Sequence, residues 1–188
     1  MTSPSDQAAP RQEAASKPER TSRAQRWRGR AVQALILIAV YLGVSAWQRR
    51  STLSTDGPAP SLRGVTLDGR ELSLAQLRGK SVLLHFWATW CGVCNLEHGS
   101  LNALHARLPE NTVLVSVVAD GTDRAALAEF VKEHDIRYPV LVADEGAIQR
   151  YAVSAFPTNY YLDEAGQIQD VTVGMSTRWA MWLRLWLA

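Results

Sequence analysis

Two cysteines, Cys91 and Cys94, are the residues best suited to chemistry, and the chain of 188 residues contains no others. They are separated by Gly92 and Val93 and follow a β-type run, Ser81–Trp87. The first thiol is therefore predicted where a strand passes into a helix. Unpaired N–H groups and the helix dipole at such a position lower a cysteine pKa from about 8.5 to between about 3.5 and 7.5. A thiolate at Cys91 is the attacking species in thiol–disulfide exchange, and Cys94 is placed to resolve the mixed disulfide.

Strands and helices that alternate along the chain position these cysteines. Apolar spacing predicts strands at 81–87, 112–119 and 139–143, hairpins at 65–74 and 158–173, and helices at 91–108, 124–134, 147–151 and 177–187. The 65–74 hairpin is predicted to turn at Asp68-Gly69, and Thr122-Asp123 to cap the 124–134 helix. This order predicts an α/β fold with a central mixed sheet flanked by helices.

Composition allows one packed domain with accessory segments, since 47% of the residues are hydrophobic and 20% are charged. The net charge of +2 is unevenly distributed. Residues 1–50 carry nine Lys and Arg against three Asp and Glu, whereas residues 51–188 carry eleven against fifteen. A slightly acidic body without a basic stripe gives no reason to expect nucleic acid as a partner.

The N-terminal region has the pattern of an export and anchoring segment. Residues 1–30 are polar and are predicted to be disordered and cytoplasmic. An apolar run over 31–47 predicts a single transmembrane helix at 31–48, close to the lower length limit of about 17 residues. More arginines precede this run than follow it, which places the body outside the cytoplasm. A cleaved signal peptide ending near Ala46 and a buried core helix are the alternatives. A linker at 49–60 and a domain at 61–188 follow.

The segment FWATWCGVC at 86–94, with VSAFPT at 153–158, resembles the thioredoxin superfamily. It is most similar to the membrane-anchored, periplasmic TlpA-like thiol:disulfide oxidoreductases, and the resemblance covers 61–188. The segment 173–188 resembles the branch called suppressor-for-copper-sensitivity protein D. The resemblance implies a thioredoxin-like fold in which Cys91 is the nucleophile and Cys94 the resolving cysteine. It further implies that Pro157 is a cis-proline that faces the disulfide and presents backbone to an incoming peptide.

Two positions near the motif depart from the usual thioredoxin pattern or add to it. His85 stands six residues before Cys91, where many thioredoxins carry a buried aspartate that accepts a proton. Glu97, three residues after Cys94, falls where TlpA-like proteins carry an acidic residue near the disulfide. We therefore expect Glu97, together with His85, to handle the proton. The alternative is a core histidine at 85 and a surface helix residue at 97.

Other cysteine chemistries fit the sequence less well. Covalent haem requires a histidine directly after the second cysteine, where Asn95 stands, and a peroxiredoxin-type peroxidase requires a threonine at the position of Ala88. Zinc needs about four ligands, whereas one CxxC pair is accompanied here only by scattered histidines. A disulfide that closes so short a loop would contribute little to stability. A Cu(I)-binding module, in which both thiolates are ligands, stays open as an alternative.

These observations predict an inner-membrane protein with one transmembrane helix and a catalytic domain in the periplasm. We expect it to exchange disulfides with periplasmic proteins, with no cofactor besides the redox-active Cys91–Cys94 pair. The resemblance favours a reductase that a membrane electron donor of the thiol-disulfide interchange type re-reduces, with the oxidising direction as the alternative. It suggests copper-damaged thiol proteins as clients, and apocytochrome c maturation as the other candidate role.

Overall fold

The computed structural model describes residues 23–49, 53, 57–121, 123–144 and 146–188. The chain divides into two compact units, Met1–Tyr41 and Leu42–Ala188. Helix α1, Arg23–Arg49, has 27 residues and contains the apolar run. Residues 23–30 belong to the segment predicted to be disordered; they form the first part of this helix, and Arg, Ala and Gln are good helix formers. Residues 1–22 lie outside the described residues.

The predicted anchor at 31–48 falls within α1. Among the residues whose side chains the structure describes, no helix combines the length and the apolar character that crossing a membrane requires. The anchor therefore stays a prediction. Of the predicted linker, residues 50–52 and 54–56 lie outside the described part of the chain.

The second unit is built on one mixed sheet of seven strands, as the alternating pattern predicted. The strands are β1 Arg63–Thr66, β2 Glu71–Ser73, β3 Ser81–Trp87, β4 Thr112–Val118, β5 Val140–Ala143, β6 Thr158–Leu162 and β7 Ile168–Val173. Their order across the sheet is β2-β1-β5-β4-β3-β6-β7. The central pairs β3–β4 and β4–β5 are parallel, and the outer pairs are antiparallel.

Helices cover both faces of this sheet. They are α2 Gly92–His105, α3 Arg124–Glu133, α4 Ala147–Arg150 and α5 Arg178–Leu187, with a 3₁₀ turn at Leu74–Leu77. Side chains of α2, α3 and α5 share one buried cluster with Leu83 and Trp87, whereas α4 and the 3₁₀ turn pack on the face of Leu84 and Phe86. The alternation of β3 between two buried faces explains why its sequence is apolar almost throughout.

Predicted caps and turns define the ends of these elements. Asp123 caps α3 by accepting hydrogen bonds from two backbone N–H groups of the first turn, as predicted, while Thr122 lies outside the described residues. The first hairpin turns at Asp68-Gly69, where Gly69 has a φ of 89°. Its loop has three residues rather than two, since the Thr66 N–H bonds to the Arg70 carbonyl at 2.8 Å.

The chain enters the domain beside the turn between β6 and β7. The carbonyl of Gly57 accepts a hydrogen bond from the Ile168 N–H at 2.9 Å, and the Ala59 N–H donates to the Gly166 carbonyl at 3.0 Å. Pro58 forms a β-bridge with Gln167. Leu53, further back along the chain, also contacts the domain, since its N–H donates to the Tyr160 hydroxyl at 3.5 Å and its side chain packs on the face of Leu84 and Phe86.

Candidate active site

Cys91 is the N-cap residue of α2, at the point where β3 passes into the helix. It forms a disulfide with Cys94, and its Sγ accepts a hydrogen bond from the Cys94 N–H at 3.2 Å. The two sulfurs differ in access, because the Cys91 residue is 7% exposed and Cys94 is fully buried. An incoming partner can therefore reach Cys91 first, which fits the predicted roles of nucleophile and resolving cysteine.

Hydrogen bonds to β4 and its end fix the segment that carries Cys91. Thr89 donates from its backbone N–H and from Oγ1 to Asp120 Oδ2, at 2.7 and 2.5 Å. Trp87, the last residue of β3, donates from its indole N–H to Ser116 Oγ at 2.6 Å. These bonds hold the β3–α2 loop, which leads to Cys91, against β4 and the residues that follow it.

Beneath the disulfide lies a buried polar cluster formed by His85, Glu97, Asn159 and the backbone N–H of Ser176. Ser176 donates to Glu97 Oε1 at 2.8 Å, and His85 Nδ1 lies 2.8 Å from Asn159 Oδ1 and 3.9 Å from Glu97 Oε2. The side chains of His85 and Glu97 are fully buried. The alternative of a surface glutamate is therefore wrong, and the structure brings together the two residues predicted to share the proton.

Burial shifts the proton affinities of this cluster in opposite directions. It raises the pKa of Glu97 to about 7, with the Ser176 N–H and the Asn159 side chain acting against it. It lowers the pKa of His85 to about 4, although the hydrogen bond to Asn159 favours the charged form. At neutral pH the imidazole is therefore uncharged, while the carboxyl group is poised to take up or release a proton.

Pro157 lies at the same end of the sheet as the disulfide. The pairing of Phe86 with Thr158 places it opposite the end of β3, and the Phe156–Pro157 peptide bond is cis. Phe156 packs edge-on against Trp90, with ring centroids 5.7 Å apart. Pro157 itself is buried, and its carbonyl accepts a hydrogen bond from the Gly174 N–H at 2.8 Å.

Three exposed apolar side chains, Trp90, Val93 and Leu96, lie within two residues of a cysteine along the chain, and Trp90 packs against Phe156; these four residues are called the apolar collar here. Large apolar side chains that share one end of a domain mark a surface for binding a protein chain. The collar therefore suits docking of a polypeptide client over Cys91.

A second buried histidine, His98, lies outside the polar cluster. Its Nδ1 is 2.6 Å from the hydroxyl of Tyr138, and burial lowers its pKa to about 4. Among the described residues, no group of three or more His, Cys, Asp or Glu side chains is arranged to hold a metal ion.

Sequence reasoning missed three contributors to the site: Asn159, Ser176 and the Thr89–Asp120 pair. Asn159 had a signal, since it is a lone amide in a strand that the pattern predicts to be buried. Ser176 contributes only its backbone N–H, which no side-chain pattern can reveal. The Thr89–Asp120 pair depends on two loops that meet only because β3 and β4 are parallel.

A CxxC disulfide at a strand-to-helix junction of a mixed sheet is the arrangement of thioredoxin-like redox proteins. Comparison with known sequences supports this class. The family model described as the AhpC/TSA family matches residues 55–171, and the chain belongs to that family. It is 33% identical to the thioredoxin-like protein YneN of Bacillus subtilis over 152 residues, which are 76% of this chain and 89% of that protein.

Proteins named for the activity are also similar. The thiol-disulfide oxidoreductase ResA of one Bacillus cereus strain is 34% identical over 123 residues, covering 64% of this chain and 70% of that protein. The crystal structure of StoA from Bacillus subtilis matches with a TM-score of 0.60 and 26% identity over 70% of this chain and all of that one. A putative thiol:disulfide interchange protein DsbE from Chlorobium tepidum shares the fold, with a TM-score of 0.66 at 23% identity over 72% and 98% of the two chains. The protein is a thiol-disulfide oxidoreductase with a thioredoxin-like fold.

Proposed function

We propose that this protein is a membrane-tethered reductase of disulfides in periplasmic proteins. The observation that carries the proposal is the difference in access between the two cysteines, together with the position of Glu97. Cys91 is accessible at a helix N-terminus, Cys94 is buried behind it, and Glu97, with a pKa of about 7, lies one turn deeper on the same helix. Such an arrangement assigns attack to Cys91, resolution to Cys94 and proton transfer to Glu97.

The reaction begins with the reduced enzyme. The Cys91 thiolate attacks a client disulfide, forming a Cys91–client bond while one client sulfur leaves and takes up a proton. Cys94 then gives its proton to the Glu97 carboxylate and attacks Cys91 Sγ. The second client sulfur leaves, so the client is reduced by two electrons and the Cys91–Cys94 bond holds the oxidised enzyme. A donor dithiol returns two electrons and two protons.

The proton step depends on the neighbours of Glu97. The Ser176 N–H fixes Oε1, which leaves Oε2 as the oxygen that faces His85. Because the His85 imidazole is neutral at working pH, it does not hold Glu97 permanently ionised. A carboxyl group that titrates near pH 7 can accept the Cys94 proton in one half-reaction and return it in the other. We assign the apolar collar to binding of client side chains and Pro157, whose carbonyl is bonded to the Gly174 N–H, to positioning the chain at this end of the sheet.

The cellular setting is part of the proposal. The apolar run at 31–47 and the arginine bias around it support a single inner-membrane anchor at 31–48 with the domain in the periplasm. A domain held there can receive electrons from a membrane donor of the thiol-disulfide interchange type. Copper-damaged thiol proteins are the proposed clients, and apocytochrome c maturation is the alternative role.

Single-cysteine variants test the roles of the two sulfurs. Cys94→Ser is expected to accumulate Cys91-linked adducts with client proteins on a non-reducing gel, because the resolving nucleophile is gone. Cys91→Ser is the matched control and is expected to trap far fewer. Tight Cu(I) binding that both substitutions abolish equally, without adducts, would instead establish the copper-binding alternative.

The direction of disulfide exchange and the cellular location of the protein need separate measurements. We expect the equilibrium potential of the Cys91–Cys94 couple against glutathione to be near the thioredoxin value of about −270 mV, whereas a value near −120 mV would indicate an oxidase. A reporter enzyme fused after Ala188 is expected to be active only in its exported form. Full-length protein that remains soluble after cell breakage would contradict the anchor.

A further inference from the structure

Asn159 is a fully buried amide in strand β6. Asparagine is depleted in strands, and a buried amide is unfavourable unless both of its ends have hydrogen-bond partners. The antiparallel register of β3 and β6 pairs Asn159 directly with His85, so the two side chains lie side by side on the same face of the sheet. Helix α2 covers this face and brings Glu97 to within 3.9 Å of the His85 ring.

The two ends of the Asn159 amide act on different groups. Its Oδ1 lies 2.8 Å from His85 Nδ1, and an amide oxygen only accepts, so the imidazole N–H is the donor. This bond places the proton of the neutral imidazole on Nδ1. Because Oδ1 is used in this way, the NH₂ group is left to act on Glu97. As a donor it favours the ionised carboxyl group and lowers its pKa against the effect of burial.

The carboxyl oxygen available to this donor is Glu97 Oε2. The other oxygen, Oε1, already accepts the Ser176 N–H at 2.8 Å. Among the described residues, neither Glu97 Oε2 nor Asn159 Nδ2 has a partner within hydrogen-bond distance, and both atoms are buried. Hydrogen bonds of a catalytic group are often long in the resting enzyme and shorten during the reaction. Each atom is therefore free to bond to the other once the carboxyl group is ionised.

We propose that Asn159 is a positioning residue of the proton step, which holds His85 with one end of its amide and stabilises the Glu97 carboxylate with the other. This inference rests on the proposed role of Glu97 as acceptor of the Cys94 proton. An uncharged histidine cannot stabilise a buried carboxylate by charge, so a neutral donor takes that part.

The other titratable groups around the carboxyl group do not supply a free charge. Burial raises the pKa of the Tyr138 and Tyr161 hydroxyls and lowers that of His98 to about 4, so all three are uncharged at neutral pH. Arg184 lies over the Tyr161 ring and is paired with Asp170 at 2.7 Å. The cysteines do not titrate while they form the disulfide. A change at Asn159 is therefore expected to act on Glu97 directly.

Titration of Glu97 in the oxidised, detergent-solubilised full-length protein tests the proposal. ¹³C NMR of labelled glutamate side chains gives the midpoint, and the signal that Glu97→Gln loses assigns it. Asn159→Leu replaces the amide by an apolar group of the same branching, and we expect it to raise the midpoint by about one pH unit. The matched control, Tyr160→Phe, removes a buried hydroxyl from the adjacent position on the other face of β6 and is expected to titrate like the parent.

Reaction of the reduced protein with the aryl disulfide DTNB supplies the kinetic readout. The first thiolate released reports attack by Cys91, and the second reports resolution by Cys94. From a starting midpoint of about 7, a rise of one unit lowers the ionised fraction of Glu97 near pH 7 about fivefold. The second phase of Asn159→Leu should therefore slow about fivefold near pH 7 and match the parent near pH 9, while the first phase is unchanged.

An unchanged Glu97 midpoint in Asn159→Leu would overturn the proposal and leave Asn159 as a partner of His85 alone. A second phase that is slower by the same factor at every pH would also overturn it, because that result indicates a packing defect. If urea unfolding shows that leucine disrupts the fold, Asn159→Val, a better strand former, repeats both measurements. A second phase that Glu97→Gln leaves unaltered would refute the proton role of Glu97 itself, and the proposal with it.

Discussion

Replacing Glu97 by glutamine is expected to make the protein more stable at neutral pH, although it removes a residue of the proposed site. The carboxyl group is fully buried, and burial raises its pKa from 4.5 to about 7. The folded chain therefore binds a proton more strongly than the unfolded chain. It follows that the contribution of Glu97 to stability is most favourable below about pH 4.5 and declines as the pH rises to about 7.

The size of the effect follows from the two pKa values. At about 1.4 kcal/mol per pKa unit, the difference between 4.5 and about 7 corresponds to about 3 kcal/mol. Glutamine does not titrate, and its Oε1 can still accept the Ser176 N–H bond. The free energy of unfolding of Glu97→Gln, relative to the parent, should therefore rise by about 3 kcal/mol between pH 4.5 and pH 8.

Urea unfolding of the oxidised, detergent-solubilised full-length protein measures this difference. Oxidation removes the thiols from the titration, and the buried Trp87 provides a fluorescence signal for the folded domain. Glu129→Gln is the matched control, since Glu129 is an exposed glutamate on α3. A stability difference for Glu97→Gln that does not change with pH, or that falls as pH rises, would refute the reasoning from burial.

Three further predictions concern the backbone and the thiols. Gly64→Ala should destabilise the protein by about 3 kcal/mol in urea unfolding, because its Cβ would lie 2.2 Å from a β5 carbonyl, whereas Gly99→Ala in open helix should stabilise it by about 0.5–1 kcal/mol. In the reduced protein, mass-spectrometric alkylation should find Cys91 reactive below pH 7 and the buried Cys94 protected; equal labelling at every pH would contradict their roles. Thr177→Ala should lower the unfolding free energy by about 1 kcal/mol through loss of the α5 cap, and Thr177→Asn should retain most of it.

Periodicity was enough to predict most of the central sheet and its helices. The strands β3 and β4 are apolar runs of the length that a doubly covered strand requires, and α2 follows the CxxC motif directly. The pairing of β1 with β5 was beyond such reasoning, because RGVT is short and has little apolar pattern. Its position depends on the close approach of Gly64 to the neighbouring strand, which is a tertiary contact.

The candidate site likewise has one part that local sequence predicts and another that depends on the folded chain. A motif of local spacing predicts the two cysteines, but whether Glu97 is buried depends on which face of α2 meets the sheet. A signal for this existed, since Glu97 continues the stripe of Cys94, Leu101 and Leu104 at helical spacing. The shift of its pKa, however, comes first from burial and is reduced by the hydrogen bonds of Ser176 and Asn159, and all three arise only in the folded chain.

The hydrogen bond from Ser176 to Glu97 also bears on how the protein is made. The donor lies 79 residues after the acceptor, so the cysteines leave the ribosome long before the cluster beneath them can form. A nascent chain that ends before this donor would carry a CxxC pair with no fixed carboxyl partner. Because β6, β7 and the chain as far as Ser176 must all be present, the site becomes complete only late in synthesis.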